Sequence, residues 1–128
     1  AEWSKIPGVV FQGHVEDVRP CLESAHALLH PALGGEGLPK AVLEAGACGK
    51  AIIASDIGGN RELVVHKSTG ILVRPGTPDE LATAMQWLMT HPAERRAYGE
   101  AARSKVVSEF TMERILEQHV RLYREMMG

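Results

Sequence analysis

Up to residue 76 the chain alternates short apolar runs with polar or glycine-bearing breaks, and beyond that point the apolar residues recur at helical spacing. "VVFQGHV" (9–15) is β-branched and aromatic, lies between Gly8 and a run of acidic and polar residues, and predicts a strand. "VRPCLESA" predicts a short helix with Pro20 in its first turn, where a missing N–H costs little. "ALLHPA" (27–32) is another short apolar run. A glycine cluster follows it, and then a helix of about three turns is expected from near Lys40 to Cys48. "AIIAS" (51–55) is apolar without alternation, as in a strand buried on both faces of a parallel sheet. "DIGGN" breaks the chain, "RELVV" is ambiguous, and "TGILVRPG" (69–76) predicts a last strand closed by Pro75 and Gly76. Alternation of strand and helix argues an α/β fold: a parallel sheet flanked by helices.

The remainder predicts helices with clear punctuation. Thr77-Pro78-Asp79-Glu80 has the form of a capping box with proline at the first helical position. Behind it Leu81, Ala84, Met85, Leu88 and Met89 fall on one face. His91-Pro92 ends that helix and starts the next, whose inner stripe is Tyr98, Ala101, Ala102, the stem of Lys105 and Val106. Thr111 caps a last helix with Met112, Ile115, His119, Leu122 and Met126 inward. Stripes of this kind are core or interface, and carry no chemistry.

A length of 128 residues fits one domain, 1–128. With aromatics at 5% and a formal net charge of −2, the chain has neither the stacking platform nor the basic footprint of a nucleic-acid binder. Cys21 and Cys48 match no metal or redox spacing and read as small buried hydrophobes in a reducing compartment. No apolar run is long enough for a membrane span, and "AEWSKIPG" lacks signal-peptide order, so the expected location is cytoplasmic. The abrupt opening suggests the back part of a longer protein.

Candidate chemistry concentrates in "GGEGLPKAVLEAGACGK" (34–50). Gly34, Gly35 and Gly37 let the backbone turn sharply and approach a ligand closely. A helix begins immediately after them. Its first N–H groups are unpaired, its dipole adds roughly half a positive charge there, and such a helix start attracts phosphate. Glu36 and Glu44 stand eight positions apart, about 12 Å along a helix axis. A nucleoside diphosphate sugar lying across the helix start would put its diphosphate at the amides, its sugar hydroxyls near Glu36 and its ribose diol near Glu44. Carboxylates accept what such hydroxyls donate. On the residues alone, Glu36 reads equally as a capping acid and Glu44 as a solvated face residue.

"EGLPKAVLEAGACGKAIIASDIGGNRELVVHKSTGILVRPGTPDELATAM" resembles the signature region of the retaining glycosyltransferases of family 4, two-domain enzymes of the GT-B architecture. The likeness runs from about "VVFQGHVEDV" to the last helices, with Glu-seven-Glu, "EAGACGK", "GGNREL" and "TGILVRPG" in the family's order and spacing. The resemblance implies a Rossmann-like, donor-binding C-terminal half of a GT-B enzyme, lacking the acceptor-binding N-terminal domain and the first βα units of its own domain. It implies that Glu36 contacts the donor sugar as the catalytic residue and that Glu44 binds the ribose. Amides near Gly37, Leu38 and Pro39 serve the sugar side, the proline giving only its carbonyl; those near Ala41, Val42 and Leu43 hold the diphosphate. It also implies that Gly13, His14 and Val15 line the base pocket, while Gly58, Gly59 and Glu62 shape a turn behind the site; Lys40, read from the residues, is a supporting charge near the diphosphate or simply solvated.

The activity so implied is transfer of a hexose-type sugar, with retention, from an NDP-sugar such as a UDP-sugar to an acceptor, in glycan or polysaccharide biosynthesis. The leucine of "EGLPK" points weakly to bacterial surface polysaccharides. This chain alone would be inactive. Its partners would be the donor and its own N-terminal domain, through which it would also associate with the inner face of a membrane. The rivals are a non-catalytic nucleotide-sugar sensing module and a nucleotide-sugar epimerase of related architecture.

The chain departs from the family in lacking the upstream Arg/Lys pair that holds the leaving diphosphate, and in having Gly46 where methionine is usual and Ala51 where proline is usual. No Asp-X-Asp occurs, so no metal and no cofactor are expected. His26 and His30 read as ordinary half-buried histidines, and Ser55, Asp56 and His66 lack a nucleophile elbow.

Overall fold

The computed structural model describes residues 7–9, 17, 19–32, 39–110, 120–121 and 124–126. The chain order is α1 (Arg19–Ser24), β1 (Ala27–His30), α2 (Lys40–Ala47), β2 (Ala51–Ser55), α3 (Gly58–Arg61), β3 (Gly70–Val73), α4 (Pro78–Thr90) and α5 (Pro92–Glu109). The three strands form one parallel sheet in the order β1-β2-β3, with Leu28 opposite Ile52 and Ile53 opposite Ile71. The α/β expectation holds. Most of the predicted strand at 9–15, and Thr111, Met112, Ile115, His119 and Leu122 of the last helix, lie outside the described residues.

β2 is buried along its whole length because both faces are covered. Ile52 and Ala54 join Leu22, Val42, Ala45, Leu63, Val64 and Val106 on one face. Ala51 and Ile53 join Val73, Ala84, Leu88 and Tyr98 on the other. The ambiguous "RELVV" supplies Leu63 and Val64 to the core, and "DIGGN", expected only as a break, contains the short helix α3. Full burial of Leu63 explains that helix: one turn is needed to bring it under the sheet.

α5 takes part in both layers, Tyr98 on one and Val106 on the other, so it crosses under the strand beginnings. That crossing requires glycine at 99. A Cβ there would stand 2.1 Å from the Gly49 carbonyl oxygen and 3.3 Å from the Ala51 nitrogen, contacts with main chain that cannot swing away. Gly46 is similar in kind: a Cβ would lie 2.9 Å from both Leu63 Cδ2 and Val106 Cγ2, so a longer side chain has no space there. The inner stripe predicted for α5 is as expected.

Two expectations for α4 are corrected. The capping box does not form: Thr77 caps no amide with its side chain, its hydroxyl donates to the Arg74 carbonyl, and Arg74 Nε donates to Glu80 Oε2 at 3.0 Å. A charge-assisted bond to the guanidinium outcompetes a reach back to one N–H. The buried face is Ala84 and Leu88 with Leu81 and Trp87 beside them, while Met85 (42%) and Met89 (61%) are exposed. Trp87 stacks on His91 at 4.1 Å between ring centroids and on Tyr98 at 6.1 Å, which turns the helix that way. Met126, expected inward, is 78% exposed because no core of the described residues reaches it.

Candidate functional site

In a parallel sheet the ligand-facing side is where the strands end. Here those ends are His30, Ser55 and Val73, and α2 begins beside them. Pro39 is the N-cap of α2, in an extended conformation (φ −66°, ψ 141°), and among the described residues no side chain caps the helix. The Pro39 carbonyl accepts the Leu43 N–H at 3.1 Å, the first turn's closing bond. The amides of Lys40 and Ala41, both on exposed residues, have no partner among the described residues. Proline suits this end because it donates nothing and fixes the approach of the chain.

Of the sequence-derived site residues, Pro39 and Leu43 are half-buried, Lys40 and Ala41 are exposed, and Val42 is wholly buried in the core. Leu43's amide is already spent on Pro39, so the exposed part of the expected amide row is Lys40 and Ala41. Glu44 sits one turn on, its side chain 30% exposed, with Oε1 3.7 Å from Lys40 Nζ. The pair therefore presents one cation and one carboxylate side by side at the helix start. Gly13, His14, Val15, Gly34, Gly35, Glu36, Gly37 and Leu38 lie outside the described residues.

At the same end a cavity of about 210 Å³ opens between Ala32, Ser55, Arg74, Thr77 and Leu81. Ser55 lines it and Asn60 is bonded to Ser55; sequence reasoning gave neither this role. Ser55 Oγ accepts the Ala32 N–H at 2.7 Å, and Asn60 Nδ2 donates to the Ser55 carbonyl at 3.0 Å. The Ala32–Ser55 bond joins residues 23 apart that the parallel register brings together, and the Asn60–Ser55 bond spans the five residues from the end of β2 into α3.

The constellations set aside as chemistry are engaged elsewhere. Asp56 pairs with Arg61, and His66 Nδ1 accepts the Leu72 N–H at 3.1 Å, so no triad is assembled. His26 is exposed and precedes β1, which His30 ends. Cys21 and Cys48 are free and half-buried. Among the described residues no group of three or more His, Cys, Asp or Glu side chains could hold a metal ion, and no helix is long and apolar enough to cross a membrane.

This arrangement has close counterparts. Residues 1–91 match the family model described as "Glycosyl transferases group 1". The chain belongs to that family. Among group 1 relatives, it is 36% identical over 114 residues to the alpha-maltose-1-phosphate synthase of Mycolicibacterium smegmatis, covering 84% of this chain and 29% of that protein. Among solved structures, sucrose-phosphate synthase from Thermosynechococcus elongatus superposes with a TM-score of 0.78 at 33% identity, over 86% of this chain and 27% of that one. Anabaena Alr3699/HepE, solved in complex with UDP-glucose, superposes with a TM-score of 0.76 at 24% identity over 82% and 29%, a likeness of fold. The chain thus spans less than a third of the length of these proteins, and its fold is that of GT-B glycosyltransferases.

Proposed function

We propose that this chain is the donor-binding domain of a retaining glycosyltransferase, which moves a hexose-type sugar from a nucleoside diphosphate sugar to an acceptor in glycan or polysaccharide synthesis. The observation that carries the reading is the start of α2 at the strand ends, uncapped among the described residues, with Lys40, the Ala41 amide and Glu44 within one turn. The diphosphate lies against the amides of Lys40 and Ala41, where the helix dipole and the Lys40 ammonium oppose its charge. Glu44 accepts the ribose hydroxyls, trading a weak solvated contact with Lys40 for two donors. Val42 and Ala45 anchor α2 in the core, so the amides are held still before the ligand arrives.

The segment carrying Glu36, Gly37 and Leu38 faces the sugar, and Gly13, His14 and Val15 border the base. As the anomeric bond loosens, negative charge grows on the leaving diphosphate. Fixed amide dipoles stabilise that charge without reorganising, and no metal is invoked. Acceptor binding, contact with a membrane face and turnover belong to the whole protein. Membership of the group 1 family and the UDP-glucose carried by the Anabaena relative support this reading.

Titration of UDP, GDP and ADP into the chain by calorimetry tests it. Saturable binding of one nucleotide, weakened by Glu44→Ala, is expected. Equal, unsaturable responses from both proteins would remove the ribose role and, with it, the donor-binding reading.

A further inference from the structure

A second cavity, larger than the one at the strand ends, lies beside β3 on the face of the sheet opposite α2. Its volume is about 520 Å³, within the range of sites that enclose small ligands. Ile71, Leu72 and Ala84 help to make its lining mostly apolar, and polar groups from the turn before β3, from α4 and from α5 join them. Tyr98 is only 9% exposed, and a tyrosine buried that far ordinarily spends its hydroxyl inside the protein. This hydroxyl has no hydrogen-bond partner among the described residues, where the unpaired side-chain atom sealed from solvent is Asn60 Oδ1. The Tyr98 hydroxyl therefore reaches open space, and the cavity that Tyr98 lines is this one. Trp87 lines it too, and its indole N–H is likewise without a partner among the described residues.

The charges around the cavity narrow the ligand. Lys67 and Asp79 bring opposite signs, and neither enters an ion pair among the described residues, whereas Glu80 is matched by Arg74. His66 Nδ1 accepts the Leu72 N–H, which puts the neutral ring's proton on Nε2 as one more donor. A net anion would face Asp79 and a net cation would face Lys67, so the complementary ligand is uncharged, both donates and accepts, and has apolar faces. Vicinal hydroxyls on a sugar ring meet all of these conditions.

We infer that this cavity binds a neutral saccharide: sugar hydroxyls donate to Asp79 and accept from Tyr98, Trp87 and Lys67, while the C–H faces of the rings cover Ile71 and Leu72. The site uses nothing at the start of α2, so it stands whether or not a nucleotide binds there.

Titration of maltotriose, cellotriose, mannotriose and triacetylchitotriose into the isotope-labelled chain, followed by NMR, tests it. At least one of these sugars should shift the Trp87 indole N–H and the Leu72 amide saturably, the indole signal being identified by its loss in Trp87→Phe. Tyr98→Phe removes only the hydroxyl and Asp79→Asn only the charge. Each should weaken that sugar about fivefold, the loss expected for one hydrogen bond, and leave the urea midpoint unchanged because neither group has a protein partner to lose among the described residues. Inorganic phosphate should leave both signals in place; a shift equal to the sugar's would make the cavity an anion site and overturn the inference. No saturable shift with any of the sugars, parental affinity in both variants, or shifts confined to Lys40–Glu44 would overturn it as well.

Discussion

The two ends of the same three strands solve opposite problems. Where the strands begin, α5 passes so close under β2 that Gly99 meets the Gly49 carbonyl with no room for a methyl group, and the space is closed by main chain. Where they end, the helix start is uncapped among the described residues, Ser55 and Asn60 form a polar link, and a cavity opens to solvent. Tight apolar contact at one end fixes the frame that lets the other keep unspent hydrogen-bonding groups. Stability and binding should accordingly separate along the strand direction.

The largest effect should come from Gly99→Ala. Its Cβ would lie 2.1 Å from main chain, and forcing the helix away should cost about 3 kcal/mol. Urea unfolding measures this; a midpoint equal to the parent's would mean that the lower end is looser than described. Glu44→Ala tests the opposite end. Nucleotide affinity should drop about tenfold or more while stability stays within about 0.5 kcal/mol, because the carboxylate makes only a solvated ion pair. A large stability loss with intact binding would erase the division.

A smaller change is expected where β3 begins, at Lys67, which holds φ at 62° in the turn before that strand. A side chain in that left-handed conformation costs about 1 kcal/mol, so Lys67→Gly should raise stability by roughly that amount without touching nucleotide binding. The smallest lies at the periphery. Arg19, through its guanidinium and its amide, holds the Asp17 carboxyl down to about 2. A depressed carboxyl stabilises the fold above its unfolded value of about 3.9 and loses that contribution as pH falls toward the folded one. Both partners are exposed, so salt should mute the effect. A carboxyl NMR titration of the parent and of Arg19→Gln should show the midpoint rising in the variant.

How far the sequence revealed this depended on the range of the interaction. The unbroken apolar run 51–55 announced a strand covered on both faces, and the period of Tyr98, Ala102 and Val106 announced the inner side of α5. Breaker residues before "KAVLEA" located a helix start at Lys40 and put Glu44 on it. Periodicity misjudged Met85 and Met89 because stacking of Trp87 on His91 and Tyr98, not the aliphatic stripe, sets the turn of α4. It also misjudged Thr77 and Glu80, since Arg74 lies outside the capping pattern but within reach of both. The bond of Ser55 to Ala32 was not legible because that partner follows from strand register. Glu36 and the base-side residues stand on the family resemblance, outside the described structure.

The passage of α5 beneath the sheet also bears on how the domain melts. Tyr98 and Val106 belong to opposite layers yet ride one rigid rod, so neither layer can dissolve without dragging the helix from the other. Heat or denaturant should therefore meet a single cooperative transition rather than two, reported alike by the Trp87 fluorescence of one layer and by the amides of Val42 and Ala45 in the other.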